Sequence, residues 1–128
     1  MAKRKIISTP NAPQAKAPLN QAVVANGMVY VSGITPFDLE RQLAPDFAGQ
    51  MHQVMKNLKA ILEAAGSGLE HVVKSNVYLT DIGNFAEMNE IYASYFDADN
   101  YPARTSIEAP MAIPNMLLEI ECVAVVAE

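Results

Sequence analysis

The segment Tyr101-Pro102-Ala103-Arg104-Thr105-Ser106-Ile107-Glu108 places an arginine just after a proline-stiffened entry into a β-rich run. A second segment, Leu118-Glu119-Ile120-Glu121-Cys122, puts two carboxylates two positions apart in an otherwise apolar strand. A guanidinium is a planar fork that grips a carboxylate through two parallel N–H bonds. With a carboxylate on a neighbouring strand to direct a water, the pair would hold a small anionic substrate and deliver water to it. Arg104, Ser106 and Glu108 alternate, so in a regular strand they project to one side. The competing reading is a structural ion pair between Arg104 and Glu119 or Glu121. A carboxylate is costly to bury unless a positive group or a donor meets it, so Glu119 either pairs or orients a water, and spacing does not separate the two.

The remaining residues offer little other chemistry. His52 and His71 follow no ligand pattern and read as surface or capping histidines. Ser106 has neither a nearby histidine nor a Gly-x-Ser-x-Gly elbow to make it a nucleophile. Gly66-Ser67-Gly68 reads as a helix stop rather than a phosphate loop. Cys122 is the only cysteine, which excludes an intrachain disulfide and a cysteine-based metal site and leaves a small core residue. The seven methionines are scattered and read as core. A formal charge of -5, from 9 Lys and Arg against 14 Asp and Glu, argues against binding a nucleic-acid backbone. The one basic cluster, Lys3-Arg4-Lys5, reads as a solvated terminus. No apolar run approaches the roughly 18 residues of a membrane span, and Met1 to Ile7 lacks the apolar stretch of a signal peptide. The expectation is a soluble cytoplasmic protein with no membrane or nucleic-acid partner. At 128 residues the chain reads as one domain, 1–128, that needs no disulfide or metal staple.

The elements that must position Arg104 and Glu119 follow from periodicity. Asn26-Gly27 between Val23–Ala25 and Met28–Val31 predicts a hairpin whose second strand ends at Ser32-Gly33. Pro10, Pro13 and Pro18 mark Asn11 to Asn20 as a loop, and a second loop runs from Pro36 to Asp46. Phe47, Met51, Val54, Leu58, Ile61, Leu62 and Ala65 recur at helical spacing and predict a helix over Asp46–Ala65. Val72–Thr80 reads as a strand. Asn84 with Glu87 predicts a capping box opening a second helix striped by Phe85, Met88, Ile91, Tyr92, Tyr95 and Phe96. Strands Ala103–Ala109 and Met116–Val126 follow.

Five or six strands make one sheet, and two helices cover only one of its faces. In the last strand Leu118, Ile120, Cys122, Ala124 and Val126 share one face and Glu119, Glu121, Val123 and Val125 the other. Both are apolar toward the C-terminus. An uncovered apolar face of that size predicts a homo-oligomer, closed as a symmetric ring, with the subunit number left open.

Many short stretches match one family in order and spacing. They are Asn11-Ala12-Pro13, Pro18 with Gln21-Ala22, Val29-Tyr30-Val31-Ser32-Gly33 and Asn57-Leu58-Lys59-Ala60-Ile61-Leu62-Glu63-Ala64-Ala65-Gly66. They continue with Val73-Lys74, Val77-Tyr78-Leu79-Thr80-Asp81, Asn89-Glu90-Ile91-Tyr92, Tyr95-Phe96, Pro102-Ala103-Arg104, and Glu119-Ile120-Glu121 with Ala124-Val125. From about Asn11 onward the chain resembles the YjgF/RidA family of reactive-intermediate deaminases.

The resemblance implies a chorismate-mutase-like α+β fold, a mixed sheet with two helices on one face and the other face buried in a homotrimer with three intersubunit clefts. It also implies a deaminase of the 2-iminobutanoate/2-iminopropanoate type. Such a hydrolase converts 2-aminoacrylate-like enamines and imines to 2-keto acid and ammonia with no metal or organic cofactor. By position, Arg104 would bind the substrate carboxylate and Glu119 would hold the attacking water. Backbone around Ser32, Gly33 and Ser106 would complete the pocket, with Asn89 lining it. The departures are local. Ala17-Pro18-Leu19 stands where Gly-Pro-Tyr is common, so Leu19 replaces the tyrosine that usually lines the cleft. Asn20 follows where serine is frequent, Ile34 replaces a common glutamine, and Ser106 a common cysteine. These changes imply a shifted preference, toward a larger or more apolar imine, or weaker activity on small 2-imino acids. The alternatives are a non-catalytic small-carboxylate binder on the same fold, an endoribonuclease or translation inhibitor, and a protein-interaction role.

Overall fold

The computed structural model describes residues 3–127. Its six strands form one sheet in the order β1-β2-β3-β6-β4-β5. They are β1 (Lys5–Ile7), β2 (Ala22–Ala25), β3 (Met28–Ile34), β4 (Val72–Leu79), β5 (Ala103–Glu108) and β6 (Leu118–Val125). All neighbours run antiparallel except β4 and β5, which are parallel. The two helices are α1 (Phe47–Ala64) and α2 (Phe85–Ala93). The mixed sheet with two helices is the α+β arrangement the resemblance implies.

Asn26 (φ 51°) and Gly27 (φ 76°) both take left-handed backbone, as a type I′ turn between β2 and β3 requires. Two differences from the sequence expectation concern strands. Lys5–Ile7 is not a free terminus but an edge strand, with Ile7 buried opposite Ala22. Three residues are too few to show alternation in sequence. The hairpin's second strand continues through Ser32 and Gly33 to Ile34, and its register against β6 slips between Val31 and Ile34. That bulge re-aims the backbone at Gly33.

The helix α1 occupies the predicted span less one residue at each end and stops at Gly66 (φ 77°). The capping box does not form. Asn84 closes a 3₁₀ turn, Ile82–Asn84, and has φ -85° and ψ 4°, with no side-chain cap bond. An N-cap side chain needs extended backbone to reach its amide. Asp81 instead accepts from the Gly83 N–H at 2.8 Å, and Glu108 from the Ile82 N–H at 2.8 Å. Tyr95 and Phe96 fall beyond the end of α2 but still rest on the core.

Both helices lie on one face. Met51, Val54, Met55, Leu58, Ile61 and Leu62 of α1 and Met88 and Tyr92 of α2 share the core with Val29, Val77, Leu79, Leu118, Ile120, Cys122 and Ala124. The opposite face is uncovered. Along it runs the row Ile6, Val23, Tyr30, Val123, paired strand to strand, with Ile6 59% and Tyr30 50% exposed. Among the described residues no helix is long and apolar enough to cross a membrane.

Candidate active site

The β5 strand pairs with β4 so that Arg104 lies beside Ser75, Ser106 beside Val77 and Glu108 beside Leu79. Those β4 residues are buried under the helices, so Arg104, Ser106 and Glu108 do share one side, the helix side. There Arg104 Nη2 donates to Asn89 Oδ1 at 2.5 Å, and Nη1 lies 3.7 Å from Met88 Sδ. The guanidinium carbon sits 4.8 Å from the Tyr92 ring centroid and 5.9 Å from that of Phe85, within range of cation–π attraction. Tyr92 is itself anchored by a 2.6 Å hydrogen bond between its hydroxyl and Ser75 Oγ. Burial raises the phenol's pKa, against the opposing effects of that bond and of Arg104. A cleft of 410 Å³ opens beside these groups, lined by Asn89, Tyr92, Tyr101, Pro102 and Arg104. One N–H is tied and a ring face is stacked, so the guanidinium is aimed before any ligand arrives.

Glu119 and Glu121 lie on the uncovered face. Glu121 accepts from the Tyr78 hydroxyl and, at 3.4 Å, from Asn76 Nδ2. Glu119 accepts no hydrogen bond from the described residues. Its carboxyl rests on Gly33, where an added Cβ would meet Glu119 Cδ at 2.7 Å. Any side chain at position 33 would displace the carboxylate. Burial, and then the charge of Glu121, raises Glu119 above the ordinary carboxylate pKa. Tyr78 is raised too, first by its bond to Glu121, then by burial and the charges of Glu121 and Glu119. A half-buried carboxyl of raised proton affinity, with no internal donor, suits proton transfer to and from water.

Two expectations about this pair need correction. Arg104 and Glu119 are not on neighbouring strands, because β4 lies between β5 and β6. Their β4 partners, Ser75 and Tyr78, are three residues apart, so Arg104 and Glu119 occupy opposite faces of the sheet. The structural ion pair of Arg104 with Glu119 or Glu121 is absent for the same reason. Among the described residues no Lys or Arg pairs with a carboxylate, and the one basic–acidic side-chain contact is His71 Nε2 with Glu70, at 3.7 Å on the surface.

Leu19, Ser32 and Gly33 do come together, in the wall of a 280 Å³ cavity at the β3 bulge. Leu19 is 50% exposed and sits in a tight turn after Pro18, its N–H on the Ala17 carbonyl at 2.7 Å. Ser32 Oγ donates to the Asn20 carbonyl at 2.6 Å, which fastens the Leu19 loop to the sheet. Ser106 presents a buried hydroxyl oxygen with no hydrogen-bond partner.

Other candidates recede. His52 Nδ1 shares a 2.6 Å hydrogen bond with the Tyr95 hydroxyl. Cys122 is buried, and burial with the nearby Glu121 charge pushes its thiol up to about 12, which leaves it inert. Ser67 Oγ donates to the Val125 carbonyl at 2.7 Å and ties the helix stop to β6.

Sequence reasoning missed the residues that hold the site rather than form it. Tyr78 and Asn76 fix Glu121, and Tyr92 and Phe85 stack on Arg104. For Tyr78 a signal existed, since a tyrosine alternating with buried residues in a strand faces away from the helices. Gln21, Gln50 and Asn57 are also buried, and their amides hold loop carbonyls and N–H groups at Thr9, Pro13, Thr35, Phe37, Ala44 and Leu117. Of these, Pro13 and Thr35 line the cavity beside Leu19.

A family model described as Endoribonuclease L-PSP matches residues 9–126. A RutC family protein of Pyrococcus horikoshii is 41% identical over 94% of this chain and 97% of its own. The chloroplastic Reactive Intermediate Deaminase A of Arabidopsis thaliana is 38% identical over 95% of this chain and 66% of its own. The crystal structure of the Rid-family protein YyfA of Yersinia pestis superposes with a TM-score of 0.92 at 37% identity, covering 97% of this chain and 100% of its own. Family model, sequence relatives and fold agree across nearly the whole chain, which therefore belongs to the YjgF/RidA family.

Proposed function

We propose that this protein is a cytoplasmic deaminase. It hydrolyses enamine and imine intermediates, of the 2-aminoacrylate type or with a larger side chain, to 2-keto acid and ammonia at clefts between the subunits of a homotrimer. The observation that carries this reading is the separation of Arg104 from Glu119 by the sheet itself. One chain holds a prepared carboxylate grip on one face and a donorless carboxyl on the other. Each is half of a site that a second copy completes. Docking of another subunit on the uncovered face also covers the row of Ile6, Val23, Tyr30 and Val123, and a closed ring leaves no such face open. A family that includes a reactive-intermediate deaminase supports the chemistry.

In this reading Arg104 of one subunit grips the substrate carboxylate. Glu119 of the next holds a water over the C=N carbon and takes its proton as the C–O bond forms. The proton passes to the nitrogen of the tetrahedral intermediate. The C–N bond then breaks as the hydroxyl gives its proton to Glu119 and the carbonyl forms, and ammonia leaves. An enamine enters after protonation at carbon. A protonated imine is already electrophilic, so positioning one water supplies much of the rate, and neither metal nor organic cofactor takes part. Leu19 favours one further reading, a non-catalytic binder of small carboxylates, because the hydroxyl common at that position is missing.

The test couples enzymatic generation of 2-aminoacrylate to pyruvate release, with Arg104→Ala alongside. Wild type should outpace buffer, and Arg104→Ala should lose about 100-fold in kcat/KM, as expected for a charge-assisted carboxylate contact made in the transition state. Equal rates for wild type, variant and buffer would defeat the deaminase reading for that substrate. Binding of 2-ketobutyrate that Arg104→Ala abolishes would then favour the carboxylate binder. RNA cleavage surviving the same substitution would point to neither.

A further inference from the structure

Among the described residues Arg41 is the one long charged side chain held in left-handed backbone, at φ 60°. That conformation is unfavourable for a non-glycine residue and persists where the surroundings over-determine it. Here they do. Asp38 Oδ1 accepts from the Glu40 N–H at 2.9 Å and the Gln42 N–H at 2.8 Å, the Arg41 N–H reaches the Asp38 carbonyl at 3.0 Å, and the Asp38 N–H reaches the Gln42 carbonyl at 3.0 Å. This turn throws the arginine across to the Leu19 loop. Nη1 donates to the Gln14 carbonyl at 3.0 Å, and the guanidinium carbon stands 5.1 Å from the Phe37 ring centroid. No carboxylate among the described residues pairs with it.

The guanidinium lines the same 280 Å³ cavity as Leu19, Ser32 and Gly33, whose other walls include Ile34 and Ile113. Gly33 is the shared boundary, with Glu119 against its backbone. On the far side of Gly33 from Glu119 the cavity is apolar at Leu19, Ile34 and Ile113, and Lys16 and Arg41 place two unneutralised cations in its wall, of which Arg41 is the one held in place by the turn and by Gln14. An acyl chain of several carbons ending in an acid would use the apolar wall and the held cation, placing methylenes on Leu19 and Ile113 and a carboxylate on the remaining N–H groups of Arg41.

We propose that the preferred substrate class is a dicarboxylic 2-imino acid, with Arg104 taking the carboxylate next to the imine and Arg41 the distal one. The proposal rests on the deaminase site described above and adds the substrate's far end. Glycine would occupy the Arg41 backbone at no steric cost, so the strain is retained for what the side chain does.

Calorimetric binding of two six-carbon keto acids, 2-oxoadipate and 2-oxohexanoate, tests this on the intact protein. Wild type should bind 2-oxoadipate about 10-fold more tightly, as one charge-assisted contact warrants. In Arg41→Gly and in Arg41→Gln that ratio should fall to about 1, while the melting temperature of Arg41→Gly stays level or rises. A ratio near 1 in wild type, or one that survives both substitutions, overturns the proposal. So does an equal loss for both acids, which would make Arg41 only a clamp on the Gln14 loop. Arg104-dependent pyruvate release would be intact in those cases, so the substrate class alone would have failed. If neither acid binds and pyruvate release is absent as well, the deaminase reading fails with it.

Discussion

Arg104 and Glu119 are furnished in opposite ways. The guanidinium is tied to Asn89, stacked on Tyr92 and backed by Phe85 and Met88, all from the one helix that crosses above it. The carboxyl of Glu119 has no donor among the described residues, is pressed against Gly33, and has a second carboxylate two positions along the same strand. Holding a ligand calls for a group whose freedom is already spent. Moving a proton calls for one whose two protonation states are closer in energy than solvent would make them. In the proposed reaction the sheet separates the two tasks. Its covered face immobilises the Arg104 guanidinium with helix side chains, and its open face leaves the Glu119 carboxyl without a hydrogen bond from the described residues.

The largest test of that division is Glu119→Gln. The amide keeps the volume over Gly33 but neither takes a proton nor returns one. We expect kcat on 2-aminoacrylate to fall by about 10²–10⁴-fold, the range for loss of a general acid–base, with KM nearly unchanged. Arg104→Ala should instead raise KM as well as lower kcat/KM. If Glu119→Gln raises KM with kcat intact, Glu119 is part of the grip and the contrast between the halves collapses.

Much of this was readable in the sequence, and the failures share a cause. Alternation in Leu118–Val126 assigned every residue of β6 to its face, and Asn26-Gly27 fixed the hairpin by the φ values it permits. Helix α1 was legible because its apolar residues recur over four turns. Strand order is a different kind of fact. No local pattern says that β4 lies between β6 and β5, or gives the two registers on β4 that put Arg104 on the far face from Glu119. The capping box failed similarly, since Asp81 and Glu108 captured the entry to α2 from outside the four-residue motif. The family resemblance pointed to both members of the pair proposed here as catalytic. It did not show that Tyr78 holds Glu121 and leaves Glu119 bare, which depends on which strands are adjacent.

Glu121→Gln sharpens the comparison through pH. Glu121 is the charge that adds to burial in raising Glu119, with Tyr78 and Asn76 directed at Glu121 rather than at Glu119. In the proposed mechanism the working form of Glu119 is ionised, so activity rises with pH as its proton leaves. Removing the neighbouring charge eases ionisation, and the acid limb of the kcat profile should move to lower pH. Stability follows the same linkage. A carboxyl raised on folding favours the folded state most below the ordinary carboxylate range and loses that contribution as pH climbs through its raised value. Chemical denaturation of Glu121→Gln across pH 4–7 should thus show a shallower decline than wild type. An acid limb that stays fixed would mean that burial alone sets Glu119.

Ser106 carries the smallest effect and sits on the Arg104 side, where the comparison says everything is already satisfied. Its hydroxyl is the exception, a buried oxygen without a partner. An unmade hydrogen bond costs the free protein up to about 1–3 kcal/mol of desolvation, which Ser106→Ala would relieve. Thermal melting of Ser106→Ala should accordingly show equal or slightly higher stability, by no more than about 1 kcal/mol. If substrate supplies the missing partner, KM should rise by about 2- to 10-fold, the value of one neutral hydrogen bond. Lower stability with unchanged KM would place that partner within the assembled protein rather than in the ligand. A rise in KM without a loss of stability would make the hydroxyl a third element of the grip, left open on the otherwise finished face because the substrate completes it.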